Sequence, residues 1–332
     1  MSNRARLAIF AGLLVGCLIA ATAVVVAGAR EGDAATRAAA GVGGLLPAAE
    51  ADGEPVVVYK RAADSGPGQV ALARLGAAPG RSSAAPLSCD RVYYSSGRGI
   101  CVARGRGFAA GYQAKVFGAD LKVTREIPVD GIPSRARVSP DGRYGATTMF
   151  VTGHSYAENG AFSTEATLFD LERGERIGQL EEFTVTRRGR PVTAVDRNYW
   201  GITFARDSDH FFATLATGGK TYLIEGSISE RTARVIHENV ECPSLSPDGT
   251  RIAYKSRTDS NDTPWRLTVL DLATMRETPL AELRSVDDQA EWQDDDTVLY
   301  GIDGEVWRVP ADGGGRASRF LARAESPAVV RW

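Results

Sequence analysis

Three histidines, four cysteines and a run of three aspartates are the residues from which catalytic or metal chemistry would have to be built in this chain of 332 residues. His154 lies in "GHSYA" at 153–157, which approaches the nucleophile elbow G-x-S-x-G. It lacks the final glycine and the strand-to-helix context that would expose the serine. His210 and His237 stand in short strand-like stretches, where a lone histidine is ordinarily structural. Cys17, Cys89, Cys101 and Cys242 are scattered and lack the paired spacing of zinc ligands. Asp294, Asp295 and Asp296 would attract a cation but read better as a solvated acidic turn. No catalytic constellation, metal site or cofactor is expected. A net charge of -2 and the isolated cluster "RRGR" at 187–190 also argue against a nucleic-acid partner.

The elements that would position any site come from internal repetition. "RVSPDGRYGATTMF" at 137–150 aligns with "SLSPDGTRIAYKS" at 244–256. Weaker copies are "ITFARDSDHFFATLA" at 202–216, "AEWQDDDTVLYGI" at 290–302 and "RVYYSSGRGICVA" at 91–103. Each is followed by a second hairpin-like pair, such as "ATLFDLERGERIGQL" at 166–180 and "LTVLDLATMRETPL" at 267–280. Every unit thus offers four short strands separated by Gly, Asp, Asn and Pro, with no competing helical period after residue 30. Units of about 40 to 50 residues with four strands are the signature of propeller blades. In the Ser-Pro-Asp-Gly turn, Pro140 or Pro247 presets φ, Asp141 or Asp248 bonds back to nearby N–H groups, and the glycine accepts positive φ.

The Ser-Pro-Asp-Gly turn, the strand Ile252-Ala253-Tyr254 and the later "LTVLDLAT" at 267–274 resemble the propeller repeat of the TolB family of periplasmic proteins, found also in prolyl oligopeptidases. The resemblance covers residues 87–323 and implies an all-β, six-bladed β-propeller, with seven blades as the alternative. "VVVYKR" at 56–61, "QVALARL" at 69–75 and "SPAVVRW" at 326–332 supply strands for a blade shared by the two ends of the chain, which would close the ring. TolB carries an α/β domain before its propeller and the oligopeptidases a hydrolase domain after theirs. This chain carries an apolar segment before and stops at Trp332, so neither the Tol–Pal role nor the peptidase reaction follows from the resemblance. Sialidase-like propellers use an Asp-box in which the glycine stands two after the aspartate. Here Gly142 and Gly249 follow the aspartate directly.

At the N-terminus, Arg4 and Arg6 precede Leu7 to Ala29, 23 residues without a charge. As a helix this run would span roughly 34 Å, enough for a hydrocarbon core of about 30 Å. Residues 1–29 are read as a retained membrane anchor. A cleaved signal peptide and a lipoprotein cut before Cys17 at "LVGC" are the alternatives. The positive-inside rule puts the body of the protein outside the cytoplasm. Residues 30–54, rich in Ala and Gly, read as a flexible linker, and 55–332 as the propeller.

The leading expectation is a scaffold for an envelope protein or peptide. A small-molecule sensor ectodomain and an envelope hydrolase are the alternatives. The long loops opposite the Ser-Pro-Asp-Gly turns mix arginine and aromatic residues, a composition enriched at binding hot spots. They nominate Arg104, Arg106, His154, Tyr156, Arg197, Tyr199, Trp200 and Trp265, of which Tyr199, Trp200 and Trp265 could instead begin buried strands. Cys89 and Cys101 flank "DRVYYSSGRGI", whose central turn makes the two sides antiparallel. A disulfide between them is expected, with Cys242 left buried and unpaired.

Overall fold

The computed structural model describes residues 45–62, 67–76, 82–105, 110–152 and 163–332. Six sheets are arranged as blades, and the sequence repeat accounts for five of them. Blade 2 runs Arg91–Ser95, Arg98–Arg104, Tyr112–Gly118 and Val123–Val129 from the innermost to the outermost strand. Blade 3 runs Ile132–Val138, Tyr144–Thr152, Ser163–Asp170 and Glu175–Gln179. Blade 5 runs Glu241–Leu245, Arg251–Arg257, Trp265–Asp271 and Glu277–Pro279. Blade 6 runs Glu291–Trp292, Thr297–Ile302, Glu305–Pro310 and Ser318–Leu321.

Blade 4 departs from the repeat. Its four strands, Asn198–Phe204, His210–Thr217, Lys220–Ser227 and Thr232–Glu238, are extended at the outer edge by the hairpin Thr184–Arg187 and Arg190–Pro191. Thr184–Thr186 pairs in parallel with Thr232–Arg234, so the stretch around "RRGR" is partly sheet.

Blade 1 joins the two ends of the chain. Ala324–Val330 is its innermost strand, followed by Val56–Arg61, Gly68–Arg74 and Ser83–Cys89. Val57 faces Val329 and Val58 faces Ala328 across this closure. The strand Ser83–Cys89 had no clear signal in the sequence, because its Ser, Ala and Pro content is weak in strand preference.

Six apolar clusters hold the ring, one in each seam between neighbouring blades. Ile100, Val102 and Val116 of blade 2 pack with Val138, Met149 and Phe169 of blade 3. Val57, Tyr59 and Val329 of blade 1 pack with Leu299 and Val306 of blade 6. Each blade is therefore stable only between two others, which is why an open ring would expose two apolar faces.

The stretch 30–54 is not all tether. Leu45–Asp52 is a short helix with Pro47 in its first turn, where a missing N–H costs nothing. Leu46 and Ala49 are buried in the seam between blades 1 and 2. The Leu7 to Ala29 segment and Cys17 lie outside the described residues. Among the described residues no helix is long and apolar enough to cross a membrane.

Cys89 and Cys101 form a disulfide, with Cα atoms 5.5 Å apart, and Cys242 is a buried free thiol. The geometry differs from a bridge across one hairpin. Register places Val92, not Cys89, opposite Cys101, and Cys89 ends the outermost strand of blade 1. The bridge therefore fastens blade 1 to blade 2.

Candidate binding site at the channel mouth

In blades 2 to 6 the turn after the innermost strand opens at Ser95, Ser139, Ala205, Ser246 and Gln293. Two positions earlier stand Tyr93, Arg137, Thr203, Ser244 and Glu291. Side chains alternate along a strand, so the same offset points the same way in every blade. All five line one cavity of about 230 Å³ at the mouth of the central channel, on the face that carries the turns. Val329 and Arg331 of blade 1 complete the ring, with Phe204, Arg206 and Trp292 around them.

The turns form a connected rim. In the two best copies the opening serine donates its hydroxyl to the aspartate and accepts the N–H of Tyr144 at 2.8 Å or Arg251 at 3.0 Å. Gly142 and Gly249 take φ of 72° and 77°, a region glycine enters without Cβ strain. Burial opposes ionisation of Asp248, yet the Ser246 hydroxyl and Thr250 N–H hold its carboxyl down at about 2. Each turn also reaches the next: Ser96 to the Pro140 carbonyl at 2.6 Å, Asp141 N to Ser208 at 3.3 Å, Arg206 to the Pro247 carbonyl at 2.6 Å, and Asp248 N to Asp295 at 2.9 Å. The Ser-Pro-Asp-Gly motif thus serves ring assembly as well as strand reversal, and "DDD" is the corresponding turn of blade 6.

Below the mouth, side chains span the channel. Blades 3 and 6 lie opposite each other in a six-membered ring. Arg137 of blade 3 pairs with Glu291 of blade 6 at 3.1 Å, both buried. Arg137 also donates to the Ala290 carbonyl and, at 3.3 Å, to Ser244 Oγ. Its guanidinium lies 4.7 Å from the centre of the Tyr93 ring, and the Tyr93 hydroxyl donates to Glu291 at 3.1 Å. Gln289 of blade 6 donates to the carbonyls of Ile202 at 3.1 Å and Pro243 at 2.8 Å, in blades 4 and 5.

One layer deeper, Arg135 donates to the Asp287 carbonyl at 3.2 Å, and Lys255 pairs with the Asp287 carboxylate. Burial pushes the Glu291 carboxyl up, and the Arg137 and Arg331 guanidinium groups pull it back. Burial also opposes ionisation of Asp287, but Lys255 and Arg135 hold its carboxyl below the ordinary range. The channel is bridged by polar side chains, so a ligand entering from the turn face meets a floor.

The residues nominated from the loops are dispersed. Arg197 and Trp200 line a second cavity of about 550 Å³ with Asp196, Lys220 and Arg257 on the opposite face. Arg197 donates to the Val192 carbonyl at 2.8 Å. Tyr199 is buried in the seam between blades 3 and 4, which makes it a packing residue that offers no surface to a partner. Trp200 is 1% exposed, so its indole packs inside the blade. Trp265 is half-buried, with Lys255 Nζ 4.5 Å and Arg257 5.6 Å from its ring centre. Arg104 is exposed in blade 2, stacked over Tyr112, and lines neither cavity. Arg106, His154 and Tyr156 lie outside the described residues.

His210 and His237 pair at the surface with Asp207 at 2.6 Å and Glu277 at 2.7 Å. Among the described residues no group of three or more side chains is placed to hold a metal ion. The channel residues were missed because their signal is faint. In "SRARV" the arginines alternate along a strand that ends in the turn motif, and a charge repeated on one face of an innermost strand can only face the channel.

The fold is a TolB-like six-bladed β-propeller, and its channel is polar and floored. TolB from Acinetobacter baumannii is similar to it at 14% identity over 83% of this chain and 66% of that one, with a TM-score of 0.55. This chain thus spans about two thirds of that structure. A chain from the nidogen/laminin complex matches at 10% identity over 83% and 98%, TM-score 0.56. A puromycin-hydrolysing peptidase from Mycobacterium tuberculosis matches at 14% identity over 80% and 45%, TM-score 0.50. At these identities the likeness is one of fold. No protein-family model and no curated protein sequence matches the chain.

Proposed function

We propose that this protein is a membrane-anchored, extracytoplasmic propeller that serves as a binding scaffold for a protein or peptide in the bacterial cell envelope. The observation that carries this reading is the floored mouth on the turn face. It gathers arginine, hydroxyl and aromatic side chains in one concave site on a rigid rim, and no histidine lines it. Such a set suits binding; its one carboxylate, Glu291, is buried and held by Arg137 at 3.1 Å, which is why a hydrolase is the weaker reading. One propeller of similar fold was solved in a complex between two proteins, nidogen and laminin, which supports a protein partner in kind.

The location rests on two further features. The Leu7 to Ala29 run is long enough for a span, with Arg4 and Arg6 on its inner side. The Cys89–Cys101 disulfide suits an oxidising compartment. A reporter that works only outside the cytoplasm, fused after Trp332, is expected to be active. Cys17→Ser is expected to stay in the membrane fraction. Activity from a cytoplasm-only reporter reverses the topology, and release of the cysteine variant favours the lipoprotein alternative.

A further inference from the structure

The charges of the turn face differ between the cavity and the turns around it. The cavity is lined by Arg137, Arg206 and Arg331 against a single carboxylate, Glu291, which Arg137 already engages. The hydrogen bonds of the other two go to neutral acceptors: Arg206 to the Pro247 carbonyl and Arg331 to the Trp292 carbonyl. Neither forms an ion pair among the described residues. The rim is mainly acidic: Asp141, Asp207, Asp294 and Asp296 are exposed on its turns, with Arg143 exposed beside Asp141. A plain anion would be repelled by the rim, and a plain cation by the cavity.

We propose that the mouth receives the terminal carboxylate of a peptide whose preceding residues are basic. Arginine presents its N–H groups as a planar fork that matches a carboxylate. The half-buried Leu245 and Pro247 side chains, which line the cavity, give the terminal residue an apolar wall. The cavity has room for that residue but not for a folded element, and the channel floor stops it from threading deeper. Basic residues upstream then lie among the rim aspartates. This rests on the reading of the turn face as a binding surface, and names the chemistry that face selects.

The test uses the purified full chain in detergent and fluorescence anisotropy with the labelled peptide Lys-Lys-Gly-Ala-Val. The free acid is expected to bind about tenfold or more tightly than its C-terminal amide, the loss expected when a charge-assisted pair is removed. The free acid of Glu-Glu-Gly-Ala-Val is expected to bind at least as weakly as the amide. Arg206→Gln, at an exposed position, and Arg331→Gln should weaken the free acid toward the amide and leave the amide unchanged. Equal binding of acid and amide, an equal loss for both in the variants, or no binding of either peptide overturns the proposal. The scaffold reading is judged separately, by cross-linking of a partner to the mouth.

Discussion

Deletion of residues 326–332 is expected to abolish the cooperative melting of the whole propeller, because the segment is most of the innermost strand of blade 1. It removes the pairing of Val56 with Val330, Val57 with Val329 and Val58 with Ala328. It also removes Val329 from the seam between blades 6 and 1, and Val330 from the seam between blades 1 and 2. Each buried valine contributes about 1.5 to 3 kcal/mol, before the lost ladder and the newly exposed seam are counted. A typical domain has only about 5 to 15 kcal/mol in hand. Near-ultraviolet circular dichroism should lose its native signal, and calorimetry should show no transition. A truncated protein that melts as the intact one does would mean that the ring is not sealed by its ends.

Arg137→Met carries the second large effect. Glu291 is buried, and the substitution leaves its carboxylate without the cation that faces it at 3.1 Å. Breaking one side of a buried pair costs about 3 to 5 kcal/mol, whereas replacing both sides with apolar groups is often close to neutral. For a domain of this size that corresponds to a drop of roughly 10 °C in melting temperature. The double variant Arg137→Met with Glu291→Leu should regain most of the loss. If it melts as low as the single variant, the link between blades 3 and 6 comes from packing around Tyr93 and not from the ion pair.

The fold was legible because its grammar is local. A turn that needs Pro, Asp and Gly in order repeats with the blade, and each copy marks the end of an innermost strand, even where Ala205 or Gln293 replaces the serine. The closing strand "SPAVVRW" could be assigned for the same reason, since an unpaired apolar strand at each end of a propeller has one place to go. The helix Leu45–Asp52 was hidden in a stretch whose Ala and Gly content suits a tether, and only burial of Leu46 and Ala49 against blades 1 and 2 explains it.

The site was harder, because it depends on long-range geometry. The loop residues were chosen by composition, which cannot separate Tyr199, sealed in a seam, from Arg197, which lines a cavity. Arg137 and Glu291 are 154 positions apart, and nothing in the sequence pairs them until the ring places their blades face to face. The Cys89–Cys101 bridge shows both sides of this: the pairing could be read from two cysteines flanking one turn, but its crossing from blade 1 to blade 2 could not.

The central claim is that the partner engages the turn face at the channel mouth. A photo-crosslinking amino acid placed at Ser95, inside the mouth, and separately at fully exposed Val195 on the opposite face, tests it in intact membranes. A discrete cross-linked product from the Ser95 position, and none from Val195, is the predicted result; a product from Val195 with none from Ser95 would place binding on the loop face and contradict the account.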